Sequence, residues 1–224
     1  MTPLPLGATP RHRSHPRPHL RSDRPGSAGE HDLQRELGTA ARADRFYDDQ
    51  VRDHLNPQMR DFVRRQEMFF LATSDAAGAC DSTLRAGPPG FLEVLDGSTV
   101  AWPEFKGNGV MASLGNLSEN PHVGILMVDF VRDTIGLHVN GTARLMEPAA
   151  QAGLESRVPA GRGVRFWVVV DVEEAYIHCS KHIPRFAELP AEDAASVRRA
   201  KTADYFGAAA ERRADAQDDA EAAS

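Results

Sequence analysis

Two short stretches of the 224-residue chain carry residue types suited to holding an anion. The first, "DSTLRAG" (81–87), brings Ser82, Thr83 and Arg85 together. The second, "EFKGNG" (104–109), sets Lys106 beside Asn108 and two glycines. Lys106 and Arg85 supply positive charge, the arginine with a bidentate fork. The hydroxyls of Ser82 and Thr83 supply donors. Gly107 and Gly109 let backbone N–H groups come close to a ligand. The second stretch also follows an apolar run that reads as a strand and leads into "GVMASLGNLSEN" (109–120), which reads as a helix with Val110, Leu114 and Leu117 on one face. A helix N-terminus adds free N–H groups and the positive end of a macrodipole. On residue types alone the competing explanation is a plain turn with a solvated lysine.

Other chemistry lacks its signature. The chain has no G-x-S-x-G, no H-E-x-x-H, no P-loop, and no G-x-G-x-x-G after a first strand. His122, His138, His178 and His182 share no ligand spacing, so no metal site is expected. Cys80 and Cys179 stand far apart with no CxxC partner, and both read as small buried or half-buried thiols. No catalytic residue can be named.

These stretches must be positioned by the middle of the chain, which is rich in Val, Leu, Ile and Phe. Hydrophobic residues make up 41% overall, and the two ends are polar. Residues 1–29, rich in Pro, Arg and His, read as a disordered basic tail. Residues 30–57 read as a helical extension of one or two charged helices, ended by Asn56-Pro57. "PQMRDFVRRQ" continues with Met59, Phe62 and Val63 at helical spacing and Pro in the first turn. The period then changes. "MFFLATSD" and "CDSTLRAG" read as a hairpin, and "GFLEVLDG" and "STVAWPE" as a second one joined at Asp96-Gly97. "HVGILMVDF" and "TIGLHVNGTARLME" form a third pair across Arg132-Asp133. "AAQAGLESRV" (149–158) reads as a short helix and "VRFWVVVDVEEAYIHC" (164–179) as a long strand. At least six strands, joined mainly by tight turns, favour a closed antiparallel barrel over a doubly wound sheet. Residues 58–206 are assigned to this domain and 207–224 to a flexible charged tail.

The span from about Arg60 to Arg185 resembles the pyridoxamine 5′-phosphate oxidase-like proteins, the FMN-binding split-barrel family. The blocks that carry the likeness are "FFLATSDAAGACDSTLRAGPPGFLEVLD", "TVAWPEFKGNGVMASLGNLSENPHVGILMVDF", "LHVNGTARL" and "YIHCSKHIPRF", in that order. The resemblance implies a mainly β fold with peripheral helices, a six-stranded antiparallel split barrel. It also implies a homodimer with FMN at the subunit interface. By position, Ser82, Thr83, Leu84 and Arg85 match the strand beside the flavin. Ala101 and Trp102 match the next strand's contact, and Lys106 and Asn108 the turn that holds the phosphate. Asn116 lies on the helix that follows. Lys181 and Arg185 in "HCSKHIPRF" are assigned to the flavin or a substrate across the dimer. The oxidase itself carries paired Arg and His residues for the vitamin B6 phosphate at this end, and this chain does not. It is closer to the subgroup of flavin-binding oxidoreductases without an assigned substrate.

The implied function is an FMN-dependent oxidoreductase acting on a small molecule. The alternative is a non-catalytic flavin, deazaflavin or haem binding protein or sensor on the same fold. The net charge of −6 argues against nucleic-acid binding. Without an apolar run of membrane-spanning length or a signal-peptide core, a cytoplasmic protein without membrane attachment is expected.

Overall fold

The computed structural model describes residues 24–148, 163–190 and 205–213. The chain forms two compact units, Met1–Arg185 and Phe186–Ser224. Of the second unit, 186–190 and 205–213 are described, and a helical turn there closes with the Glu211 N–H donating to the Gly207 carbonyl (3.0 Å). The expected helix at 149–158, most of the basic tail and the last part of the charged tail lie outside the described residues.

The first unit opens with three helices, α1 (Ala28–Glu36), α2 (Ala40–Gln50) and α3 (Pro57–Arg64). Ser27 caps α1 in a capping box with Glu30, so the expected boundary after residue 29 falls inside this helix. α3 is capped by Asn56, whose side chain accepts from the Met59 N–H (2.9 Å), and Pro57 needs no partner there. Its apolar face buries Phe62 and Val63.

The strands follow: β1 (Met68–Ser74), β2 (Cys80–Ala86), β3 (Glu93–Val94), β4 (Thr99–Phe105), then helix α4 (Ala112–Glu119), then β5 (His122–Asp129), β6 (Ile135–Met146) and β7 (Val164–His178). They make one sheet in the order β2-β1-β5-β6-β7-β4-β3, and every ladder is antiparallel. The sheet therefore has seven strands, against the six of the barrel that the resemblance implies. β3, expected over "GFLEVLDG", is only two residues long. Pro88, Pro89 and Gly90 hold the preceding segment out of the ladder, and Phe91 stacks on Phe69 at 5.6 Å.

The sheet curls until its ends meet through side chains. Phe69 of β1 packs edge-on against Trp102 of β4 at 5.2 Å. The curled sheet encloses Phe69, Leu71, Val100, Ile125, Met127, Val139, Val168 and Val170, all essentially without solvent exposure. Burying each such side chain stabilises the fold by roughly 1.5–3 kcal/mol. The alternation is visible on β1 and β5, where every second residue is buried. A bulge at Asn140/Gly141 of β6 bends it against β7.

Two expectations are corrected. Cys80 and Cys179 are exposed, not buried. Cys80 opens β2 on its outward-facing register, and Cys179 follows the end of β7. Val110 is 72% exposed and does not share the buried face of Leu114 and Leu117. The helix starts at Ala112, because Gly109 (φ 87°) and Met111 (φ 57°) both adopt left-handed backbone that a helix cannot continue.

Candidate functional site

A cleft of about 760 Å³ opens between β2, the 87–91 loop, the end of β4 and the start of α4. It lies where the two ends of the curled sheet approach each other without a backbone ladder. Ser82, Thr83, Arg85, Trp102, Lys106 and Asn108 all line it. Sequence reasoning therefore brought six of its assigned residues to one place.

The turn after β4 forms one end of the cleft. Gly107 (φ 52°) and Gly109 (φ 87°) take left-handed backbone, and the Gly109 N–H donates to the Lys106 carbonyl (3.1 Å). Asn108 shapes the turn, since its Oδ1 accepts from the Val110 N–H (3.0 Å). α4 begins without a side-chain cap. Its first intrahelical bond runs from the Gly115 N–H to the Met111 carbonyl (2.9 Å), so the N–H groups of Ala112, Ser113 and Leu114 have no partner within the helix. These three residues line the cleft. The Lys106 side chain makes no ion pair among the described residues.

Arg85 behaves differently. Its Nε donates to Glu104 Oε1 at 2.6 Å, and its NH1 to Thr83 Oγ1 at 3.1 Å. The same Glu104 oxygen accepts from Trp102 Nε1 at 2.8 Å. Glu104 is buried, and a buried carboxylate is stable there because both donors converge on it. The charge of Arg85 is thus compensated from within the protein. Lys106 and the α4 N-terminus carry the positive potential of the cleft.

The remaining assigned residues lie outside the lining. Leu84 lies on the more exposed face of β2, opposite Thr83 and Arg85, and is half exposed. Ala101 is fully buried in a small cluster with Trp167 and Val169. Asn116 donates to Thr73 Oγ1 (3.0 Å) and ties α4 to β1. Lys181 sits in a 3-10 turn (Ser180–His182) and Arg185 in the extended segment after it, both exposed.

Trp167 of β7 lines the cleft and was not singled out by sequence reasoning. Its position inside the apolar run "VRFWVVV" reads as core. Elsewhere in the sheet, His138 Nε2 and His178 Nδ1 are 2.9 Å apart, and the His138 ring stacks on Tyr176 at 4.7 Å. Burial, and next the charge of His178, push the His138 pKa below its ordinary value. No group of three or more His, Cys, Asp or Glu side chains fit for a metal occurs among the described residues. Among those residues, no helix is long and apolar enough to cross a membrane.

The family model described as pyridoxamine 5′-phosphate oxidase matches residues 55–179, more than half of the chain. The protein belongs to this family, and its curled antiparallel sheet is the family's split barrel. Among solved structures, it is 21% identical to HupZ of Group A Streptococcus, covering 59% of this chain and 99% of that one with a TM-score of 0.43. It is 20% identical to the heme storage protein HutZ of Vibrio cholerae, covering 55% and 93% with a TM-score of 0.35. An F420 reductase is 18% identical, covering 52% and 94% with a TM-score of 0.38. No curated protein matches the chain significantly in sequence.

Proposed function

We propose that the protein is an FMN-binding flavoprotein of this family, an oxidoreductase acting on a small molecule in the cytoplasm. The observation that carries this is the anionic-ligand end of the cleft, where an unpaired Lys106 meets an uncapped helix N-terminus. A phosphate monoester accepts several hydrogen bonds at once and carries charge that both features complement. The fit extends to size and surface. A cleft of about 760 Å³ falls within the ordinary range for cofactor sites. Phe91, Trp102, Val110 and Met111 give it apolar and aromatic walls for a planar ring.

Bound FMN supplies the hydride and electron transfer. The protein's part is binding, orientation and exclusion of water. Lys106 and the N–H groups of Ala112, Ser113 and Leu114 hold the phosphate, and Asn108 fixes the turn that aims them. Ser82 and Thr83 offer hydroxyls along β2. Arg85 is held by Glu104 and shapes the wall more than it neutralises the ligand. Leu84, Ala101 and Asn116 support the site from behind. Lys181 and Arg185, outside the cleft of their own chain, are assigned to the cleft of a second copy in a homodimer with FMN at the subunit interface.

The test is an absorption spectrum of the purified protein with mass identification of whatever is extracted. Released FMN supports the assignment. A Soret band, a deazaflavin, or a colourless protein that takes up no added FMN overturns it.

A further inference from the structure

The chain has two tryptophans, Trp102 and Trp167, and both line the cleft. Their indole N–H groups have opposite fates. Trp102 donates to Glu104 Oε1 at 2.8 Å. Trp167 is 1% exposed, and its Nε1 is buried without a hydrogen-bond partner among the described residues. Buried donors are satisfied almost everywhere in folded proteins, because an unmade hydrogen bond loses the water contact and gains nothing. An orphan donor at a binding cleft is one of the accepted exceptions, since its partner arrives with the ligand.

The location supports this. Trp167 faces Pro103 in the β4–β7 ladder, and Pro103 lines the same cleft three residues before Lys106. Packing alone does not satisfy the indole N–H. The slot beside Ala101 and Val169 is apolar, and none of these neighbours supplies a side-chain acceptor for the indole N–H.

We propose that Trp167 is a ligand-binding residue whose indole N–H donates to an acceptor on the FMN bound in the cleft. This rests on the flavin assignment. Trp102 is the internal reference, because its N–H is already committed to Glu104.

The test uses the full-length protein labelled with nitrogen-15, which gives two indole N–H resonances. Trp167→Phe removes one and so assigns both. On titration with FMN, the Trp167 indole proton should move downfield, as a newly bonded donor does, while the Trp102 proton keeps its hydrogen-bonded shift. Trp167→Phe should bind FMN about tenfold more weakly, the loss of one ligand hydrogen bond. If wild-type protein binds FMN while the Trp167 resonance stays in place and the variant binds equally well, the inference is overturned and the flavin assignment stands. If wild-type protein binds no FMN, both fall. Should the variant fail to fold, the wild-type titration still decides, with Trp102→Phe giving the assignment.

Discussion

Arg85 and Glu104 belong to strands that share no backbone ladder, yet Arg85 Nε lies 2.6 Å from Glu104 Oε1. Side chains close the split where main chains do not. Glu104→Ala would leave two donors without their shared acceptor, the Arg85 Nε–H and the buried Trp102 indole. The expected cost is about 2–3 kcal/mol. Urea denaturation checks it, and a midpoint equal to wild type would mean that the clasp adds nothing to stability. Replacing the pair together, Arg85→Met with Glu104→Leu, should cost less than Glu104→Ala alone.

Lys106 separates from Arg85 in the same experiments. Lys106→Ala removes an exposed charge with no ion-pair partner among the described residues, so stability should stay within about 0.5 kcal/mol of wild type. FMN binding should weaken by about 1–3 kcal/mol, the range for a charge-assisted hydrogen bond. Calorimetric titration reads this directly, and unchanged affinity would remove Lys106 from the site.

The histidine pair on β6 and β7 sets a pH dependence. His138 has a folded pKa below its unfolded value of about 6.5. In the window between the two values the unfolded chain binds more protons than the folded one. Stability therefore rises with pH there: its full contribution is present above about 6.5 and is lost as pH falls toward the folded pKa. Denaturation midpoints from pH 8 down to 5 should decline, and His138→Gln should flatten the slope. An equal slope in the variant would assign the pH dependence to other groups.

Two glycines give opposite expectations. A Cβ at Gly141 would lie 2.2 Å from the Asp171 carbonyl oxygen, so Gly141→Ala must push β6 and β7 apart at their bulge. A loss of about 2 kcal/mol or more is expected. Gly115 lies within α4 with nothing near its would-be Cβ, and Gly115→Ala should stabilise the protein by about 0.5–1 kcal/mol. Thermal melts of the two variants should move in opposite directions.

Patterned elements were legible in the sequence. The strands from Met68, Cys80, His122 and Val164 begin at the residues where the sequence reading starts them, and the Asp96-Gly97 turn joins β3 to β4 as expected. Local chemistry dictates these features. "GFLEVLDG" yields only Glu93–Val94 as strand because Phe91 and Leu92 turn into the core, a tertiary preference that alternation does not encode. The late start of α4 follows from backbone angles at Gly109 and Met111 that residue types only hint at. At the site, Lys106 and Asn108 could be read from their glycines. The capture of Arg85 could not, because Glu104 reaches it only once the sheet has curled. Nor could the idle indole of Trp167, whose neighbours in the chain are all apolar.

The strand order also bears on how the chain is made. β4 pairs with β7 along its whole length and otherwise only with the two-residue β3. During synthesis β4 leaves the ribosome about sixty residues before β7 does. At ordinary elongation rates that is on the order of several seconds. Throughout that interval an apolar edge waits unpaired, and the cleft lacks the indole of Trp167. A nascent chain halted before Val164 would thus expose β4 to aggregation, and chaperone dependence should fall sharply once the last strand emerges.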